Sequence, residues 1–116
     1  MSLQILHNPK CSKSRETLGL ISENGQEPEI VEYLKDFPSK ENLRSVVQKL
    51  GMPITSIIRF KETIAKELGL TAKDERSQDE WLELLCENPK LLERPIVIKG
   101  DQAIMGRPPE NVLQLL

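Results

Sequence analysis

Apolar positions change period several times along the chain, and each change marks an element. A short apolar run, Leu3 to Leu6, reads as a strand over residues 3–7. Asn8-Pro9 breaks it, because proline fixes φ, lacks an N–H and biases its predecessor away from helix. Residues 12–24 then read as a helix, with Leu18 and Ile21 on one face and Ser12 able to cap. Asn24-Gly25 stops it. Residues 28–34, Pro-Glu-Ile-Val-Glu-Tyr-Leu, read as a second strand. Strand, helix, strand predicts a parallel pair joined by a crossover helix.

The middle of the chain takes a helical period. Pro38-Ser39 opens a helix in which Leu43, Val46, Val47 and Leu50 recur at helical spacing, and Gly51 ends it. Pro53 begins a less regular stretch holding Ile54, Ile57 and Ile58, followed by Arg59. Residues 61–69 read as a short helix closed by Gly69, and 70–76 as a polar loop. Ser77-Gln78-Asp79-Glu80 is a capping box. In the helix it opens, Trp81, Leu82 and Leu85 share a face, and Cys86 falls on that face as a core residue.

The last segment returns to strand. Gly100-Asp101 between two apolar runs is a two-residue hairpin signal of the type II′ kind. That register pairs Lys99 with Gln102 and Ile98 with Ala103. Pro108-Pro109 starts a final helix over 110–116, with Val112, Leu113 and Leu116 on its buried side. The order is β-α-β, a helical middle, then β-β-α. With no repeat, low-complexity tract or linker, residues 1–116 read as one domain, the middle being a helical insertion over about 38–90.

Composition narrows the function classes. At 38% hydrophobic and 29% charged residues, a folded soluble domain is expected. The net charge of −2 implies no broad basic surface, which argues against nucleic-acid binding. Two cysteines make no disulfide scaffold, and their spacing fits no zinc motif. No signal peptide and no bilayer-length apolar run stand out, so no membrane association and a cytoplasmic location, where thiols stay reduced, are expected.

The chemistry concentrates at Cys11. It sits at a strand-to-helix turn, before free backbone N–H groups and the positive end of a helix dipole. Lys10, Lys13 and Arg15 add positive charge. The expected result is a lowered thiol pKa and an available nucleophile. Two relatives of this chemistry do not fit. Arg15 follows Cys11 after three residues, with no glycine between, which is not the loop of a cysteine phosphatase. Ser14 stands where a dithiol oxidoreductase has its second cysteine, so turnover would need an outside thiol. The hairpin register also places Arg94 opposite Arg107. Like charges across a ladder are destabilising, so an anion between the two guanidiniums is expected. Arg59, after an apolar stretch, is a weaker candidate, its stem buried and its head free.

Three stretches together resemble the ArsC family of glutaredoxin-linked arsenate reductases. They are His7-Asn8-Pro9-x-Cys11-Ser12-x-Ser14-Arg15, Glu93-Arg94-Pro95-Ile96-Val97 and Gly106-Arg107-Pro108-Pro109-Glu110. The resemblance implies a thioredoxin-like α/β fold with a helical insertion, and a cis peptide at Pro95. It implies that Cys11 attacks the arsenic of arsenate, with Arg59, Arg94 and Arg107 binding the oxyanion. Glutathione would attack the adduct, and glutaredoxin would reduce the resulting mixed disulfide. His7 would tune the thiolate by charge and Ser14 by hydrogen bonding. No bound cofactor, metal or flavin is implied, and a monomer is expected. Two other activities use the same fold: an interaction protein of the Spx type, which binds RNA polymerase and usually carries Cys-x-x-Cys, and a glutathione-dependent thiol oxidoreductase.

Overall fold

The structure is a computed structural model describing residues 3–71, 73–93, 95–106 and 108–116. Its sheet has four strands: β1 (Leu3–His7), β2 (Glu29–Glu32), β3 (Ile96–Lys99) and β4 (Gln102–Met105). They lie in the order β2-β1-β3-β4. β1 and β2 are parallel, joined by α1 (Ser12–Glu23) as the crossover. β1 and β3 are antiparallel, and β3 and β4 form the hairpin. The expected pairs Lys99–Gln102 and Ile98–Ala103 are both present. Gly100 has φ +59 and Asp101 does not have positive φ, which is the II′ rather than the I′ pattern.

Both faces of the sheet are covered, which explains the unbroken apolar run at Ile96-Val97-Ile98. On one face Leu3, Ile5 and Val97 pack with Ile21 of α1 and with Val112 and Leu115 near the carboxyl end. On the other, Leu6, Ile96 and Ile98 meet the helical insertion. That insertion holds α2 (Lys40–Leu50), α3 (Thr63–Glu67) and α4 (Gln78–Glu87). Ser39 caps α2 by accepting from the Asn42 N–H, and Gly51 ends it at φ +66. The capping box at Ser77 and Glu80 forms in both directions, and Trp81, Leu82 and Leu85 are buried. An antiparallel contact between Ile58 and Leu92 ties the irregular middle stretch to the approach of β3. No helix among the described residues is long and apolar enough to cross a membrane.

Five expectations are corrected. The second strand ends at Glu32, because the chain turns there and Lys35 and Asp36 both donate to the Glu32 carbonyl; Tyr33 is fully buried in that turn. The helix expected over 61–69 is shorter, spanning Thr63–Glu67. The final helix is 3-10, over Pro109–Gln114. Three residues per turn put Pro109, Val112 and Leu115 on one buried side and leave Leu113 exposed. Cys86 is only half-buried, at the margin of its helix's core face. Ser12 is the first residue inside α1, and the cap position belongs to Cys11 itself.

Candidate active site

The site is built where β1 gives way to α1. Cys11 has extended backbone, φ −95 and ψ 122, and occupies the N-cap of α1. Its carbonyl accepts the first helical bond, from the Arg15 N–H at 3.0 Å. A side chain at this position faces the free N–H groups of the first turn and the positive end of the helix dipole.

The turn that delivers Cys11 is tied down at four points. The Cys11 N–H donates to the Asn8 carbonyl at 3.0 Å. The Asn8 side-chain oxygen accepts from the Lys10 N–H at 3.0 Å, closing an Asx turn. The Arg15 guanidinium donates to the Pro9 carbonyl at 3.0 Å. Beneath these, the buried Ser14 hydroxyl accepts from the Asn8 N–H at 3.1 Å and lies 2.6 Å from His7 Nδ1. The Ser14 hydroxyl can accept from the backbone and still share a hydrogen bond with His7 Nδ1, whose direction follows the imidazole tautomer.

His7 is buried at the end of β1. Burial is the main effect holding its pKa below the ordinary value of 6.5; Arg15 adds to this and Glu32 opposes it. The ring is therefore neutral near pH 7. Its Nδ1 ties the ring to the turn through the Ser14 hydroxyl.

Pro95 reaches the site just ahead of β3. Extending the β1–β3 register by one residue brings His7 level with the buried Pro95. Gly106 N–H donates to the Pro95 carbonyl at 2.9 Å, which continues the hairpin one rung beyond the ladder. Arg94 and Arg107, the pair expected across the next rung, lie outside the described residues. Arg59 N–H donates to the Leu91 carbonyl at 2.7 Å, and Glu93 N–H to the Ile57 carbonyl at 2.7 Å. These bonds hold the Arg59 stretch alongside residues 91–93. The Arg59 side chain is partly buried, and its guanidinium engages Glu62 at 3.4 Å and Glu93 at 3.6 Å. Both separations exceed a direct hydrogen bond, so its head is loosely paired rather than free.

Sequence reasoning quoted Asn8 and Gly106 as motif residues without their structural roles, and it missed Thr17. The Asn-Pro pair carried a signal for the first. The contact between Thr17 and Gly106 carried none, since the two are remote in the chain. Among the described residues no group of histidine, cysteine and carboxylate side chains could hold a metal ion. Cys86 has its thiol pKa raised, mainly by burial, which keeps it in the unreactive protonated form.

A four-stranded α/β sheet with a cysteine at the amino end of its first helix and a proline at the start of the facing strand defines a thioredoxin-like protein. Comparison with known proteins makes this more specific: the ArsC family profile matches residues 6–115, and the chain belongs to the ArsC family. It is 46% identical over 117 residues to a Haemophilus influenzae protein named arsenate reductase, covering 100% of both chains. It is also 46% identical over 115 residues to the uncharacterized protein YfgD of Escherichia coli (strain K12), covering 98% of this chain and 96% of that one. A solved structure titled arsenate reductase from Vibrio cholerae superposes with a TM-score of 0.94 at 47% identity. That match covers 100% of this chain and 98% of the other.

Proposed function

We propose that the protein reduces arsenate to arsenite through Cys11, with glutathione and glutaredoxin as outside reductants. The observation that carries this reading is the N-cap placement of Cys11, on a turn pinned by Asn8, Ser14 and Arg15. An N-cap sulfur is stabilised as thiolate by the helix terminus, and the thiolate is the nucleophile. Membership of the ArsC family supports arsenate as the electrophile.

The Cys11 thiolate bonds to arsenic, and an arsenate oxygen leaves as water after protonation. A glutathione thiolate then attacks the Cys11 sulfur. The S–As bond breaks with its electron pair going to arsenic, which departs as arsenite. Cys11 is left in a mixed disulfide with glutathione. Attack by a glutaredoxin thiolate on the glutathione sulfur returns Cys11 as thiolate. Arsenic gains two electrons, one from each sulfur of the mixed disulfide.

Arg59, Arg94 and Arg107 would hold the oxyanion and offset the charge that builds on it. Arg59 would exchange its long contacts to Glu62 and Glu93 for the shorter, stronger bonds of an oxyanion. Ser14 occupies the position a resolving cysteine would need, and it is buried and committed to His7 and Asn8. That commitment favours a route completed by an external thiol.

The test is NADPH consumption in the presence of arsenate, glutathione, glutaredoxin and glutathione reductase, for the wild type and Cys11→Ser. Turnover that needs both arsenate and Cys11 is expected. Turnover surviving at the wild-type rate in Cys11→Ser would remove the nucleophile assignment. Wild-type turnover with a glutathionylated protein thiol but not with arsenate would move the activity to thiol oxidoreduction.

A further inference from the structure

Thr17 is fully buried, although it is polar and lies on a helix face where the hydrophobic pattern places core. It packs against the base of the hairpin. A Cβ added at Gly106 would come 2.6 Å from Thr17 Oγ1, 3.1 Å from its Cγ2 and 2.8 Å from Pro95 Cγ. Ordinary contact between such atoms needs roughly 3.5 Å, so no side chain fits between α1 and the hairpin here. The Thr17 hydroxyl donates to the Lys13 carbonyl at 2.8 Å, with the Gly106 carbonyl at 3.5 Å. The shorter bond holds the side chain in one rotamer against its own helix. Gly106 N–H in turn donates to Pro95. Three elements therefore meet without space between them: α1 at Thr17, the end of β4 at Gly106, and the approach to β3 at Pro95.

The chain neighbours of this contact give it a consequence. Cys11 caps the helix that carries Thr17. Arg94 directly precedes Pro95, and Arg107 directly follows Gly106. Moving the hairpin base relative to α1 changes the spacing between Cys11 and Pro95 and Gly106, the chain neighbours of the two arginines. We propose that Thr17 is a positioning residue, whose contact with Gly106 and Pro95 sets how the base of the hairpin sits relative to the helix that Cys11 caps. The inference rests on the oxyanion-binding reading above.

The experiment measures protection of Cys11 from iodoacetamide by arsenate, in a Cys86→Ser background so that one thiol reports. Gly106→Ala should raise the arsenate concentration giving half-protection by about tenfold or more, as misplacement of binding groups does. The alkylation rate without arsenate should stay near wild type. Thr17→Val keeps the branched shape but loses the hydroxyl bond to Lys13, so its half-protection should shift by no more than that of Thr17→Ser. Gly106→Ala combined with Thr17→Ala reopens the space from the helix side and should recover much of the loss. Thr17→Ser keeps the hydroxyl and removes the methyl; it should shift half-protection by about threefold, and it carries the test should Gly106→Ala not fold. Variants that lose thermal stability but keep wild-type half-protection would reduce Thr17 to a structural residue and overturn the inference alone. A wild type unprotected by arsenate would overturn the oxyanion reading and this inference together.

Discussion

Ser14→Ala tests the foundation of the site most directly. The substitution removes one oxygen and leaves two groups without their partner. The Asn8 N–H, in a buried residue, loses the acceptor it meets at 3.1 Å. His7 Nδ1 loses the hydroxyl at 2.6 Å. An orphaned buried N–H costs about 1–3 kcal/mol, and a lost neutral hydrogen bond about 1 kcal/mol. The sum is about 2–4 kcal/mol. With an unfolding entropy of about 2.1 cal/mol/K per residue, a chain of this length loses about 4 °C per kcal/mol, so Tm should fall by about 8–16 °C. Urea unfolding at neutral pH gives the free energy, and a thermal scan the shift. A double-mutant cycle with His7→Phe separates the shares. The His7–Ser14 coupling should be about 1 kcal/mol, and the Asn8 share should persist in the His7→Phe background. Cys11 alkylation on the same samples should slow, because the turn that presents the sulfur has lost its inner anchor. A stability loss below about 0.5 kcal/mol, the range of unremarkable surface changes, would refute the reasoning.

Three further outcomes follow from the geometry. The folded-state pKa of His7 lies below its ordinary 6.5, so the unfolded chain binds the proton first as pH falls. Its contribution to stability is complete above about pH 6.5 and is lost as pH falls through the folded value; urea midpoints from about pH 7.5 to 5.5 should decline, and less so in His7→Phe. Cys86→Ser should leave arsenate turnover near wild type, and Cys86 should alkylate more slowly than Cys11, since burial raises its pKa; peptide mapping after brief iodoacetamide treatment reads this, and faster labelling at Cys86 would contradict it. Among the described residues Arg59→Ala breaks two long, partly solvated ion pairs, so chemical unfolding should register less than about 1 kcal/mol. The same variant should nonetheless require more arsenate to protect Cys11, and unchanged protection would remove Arg59 from the site.

Stability and function draw on the same few residues at this corner. Asn8 shapes the turn, Ser14 fastens it from below, and Arg15 reaches over it to Pro9. All lie within eight residues of one another, so the turn can form locally before the hairpin docks. The hairpin then adds Pro95 and Gly106 from the far end of the chain. The thiol is presented by local structure, whereas the placement of the hairpin base beside it depends on long-range packing.

Much of this was legible in the sequence for physical reasons. Strand pairing at Ile98–Ala103 follows from a two-residue turn, because the turn leaves only one register. Helix starts at Ser39 and Ser77 follow from side chains that satisfy N–H groups a few residues away. The cysteine at the strand-to-helix turn follows from the proline that breaks the strand. Each of these depends on neighbours in the chain, so short-range chemistry determines it. Tertiary structure alone decided the rest. The buried face of α1 is Ser14, Thr17 and Ile21, and only the last is apolar. Hydrophobic periodicity cannot register the first two, because a buried hydroxyl is tolerated only when a partner is brought to it. For Thr17 the meeting with Gly106 spans 89 positions, and the close approach exists only once α1 and the hairpin have packed on the same sheet. The final segment likewise took 3-10 rather than α geometry because that period turns Pro109, Val112 and Leu115 together against the sheet.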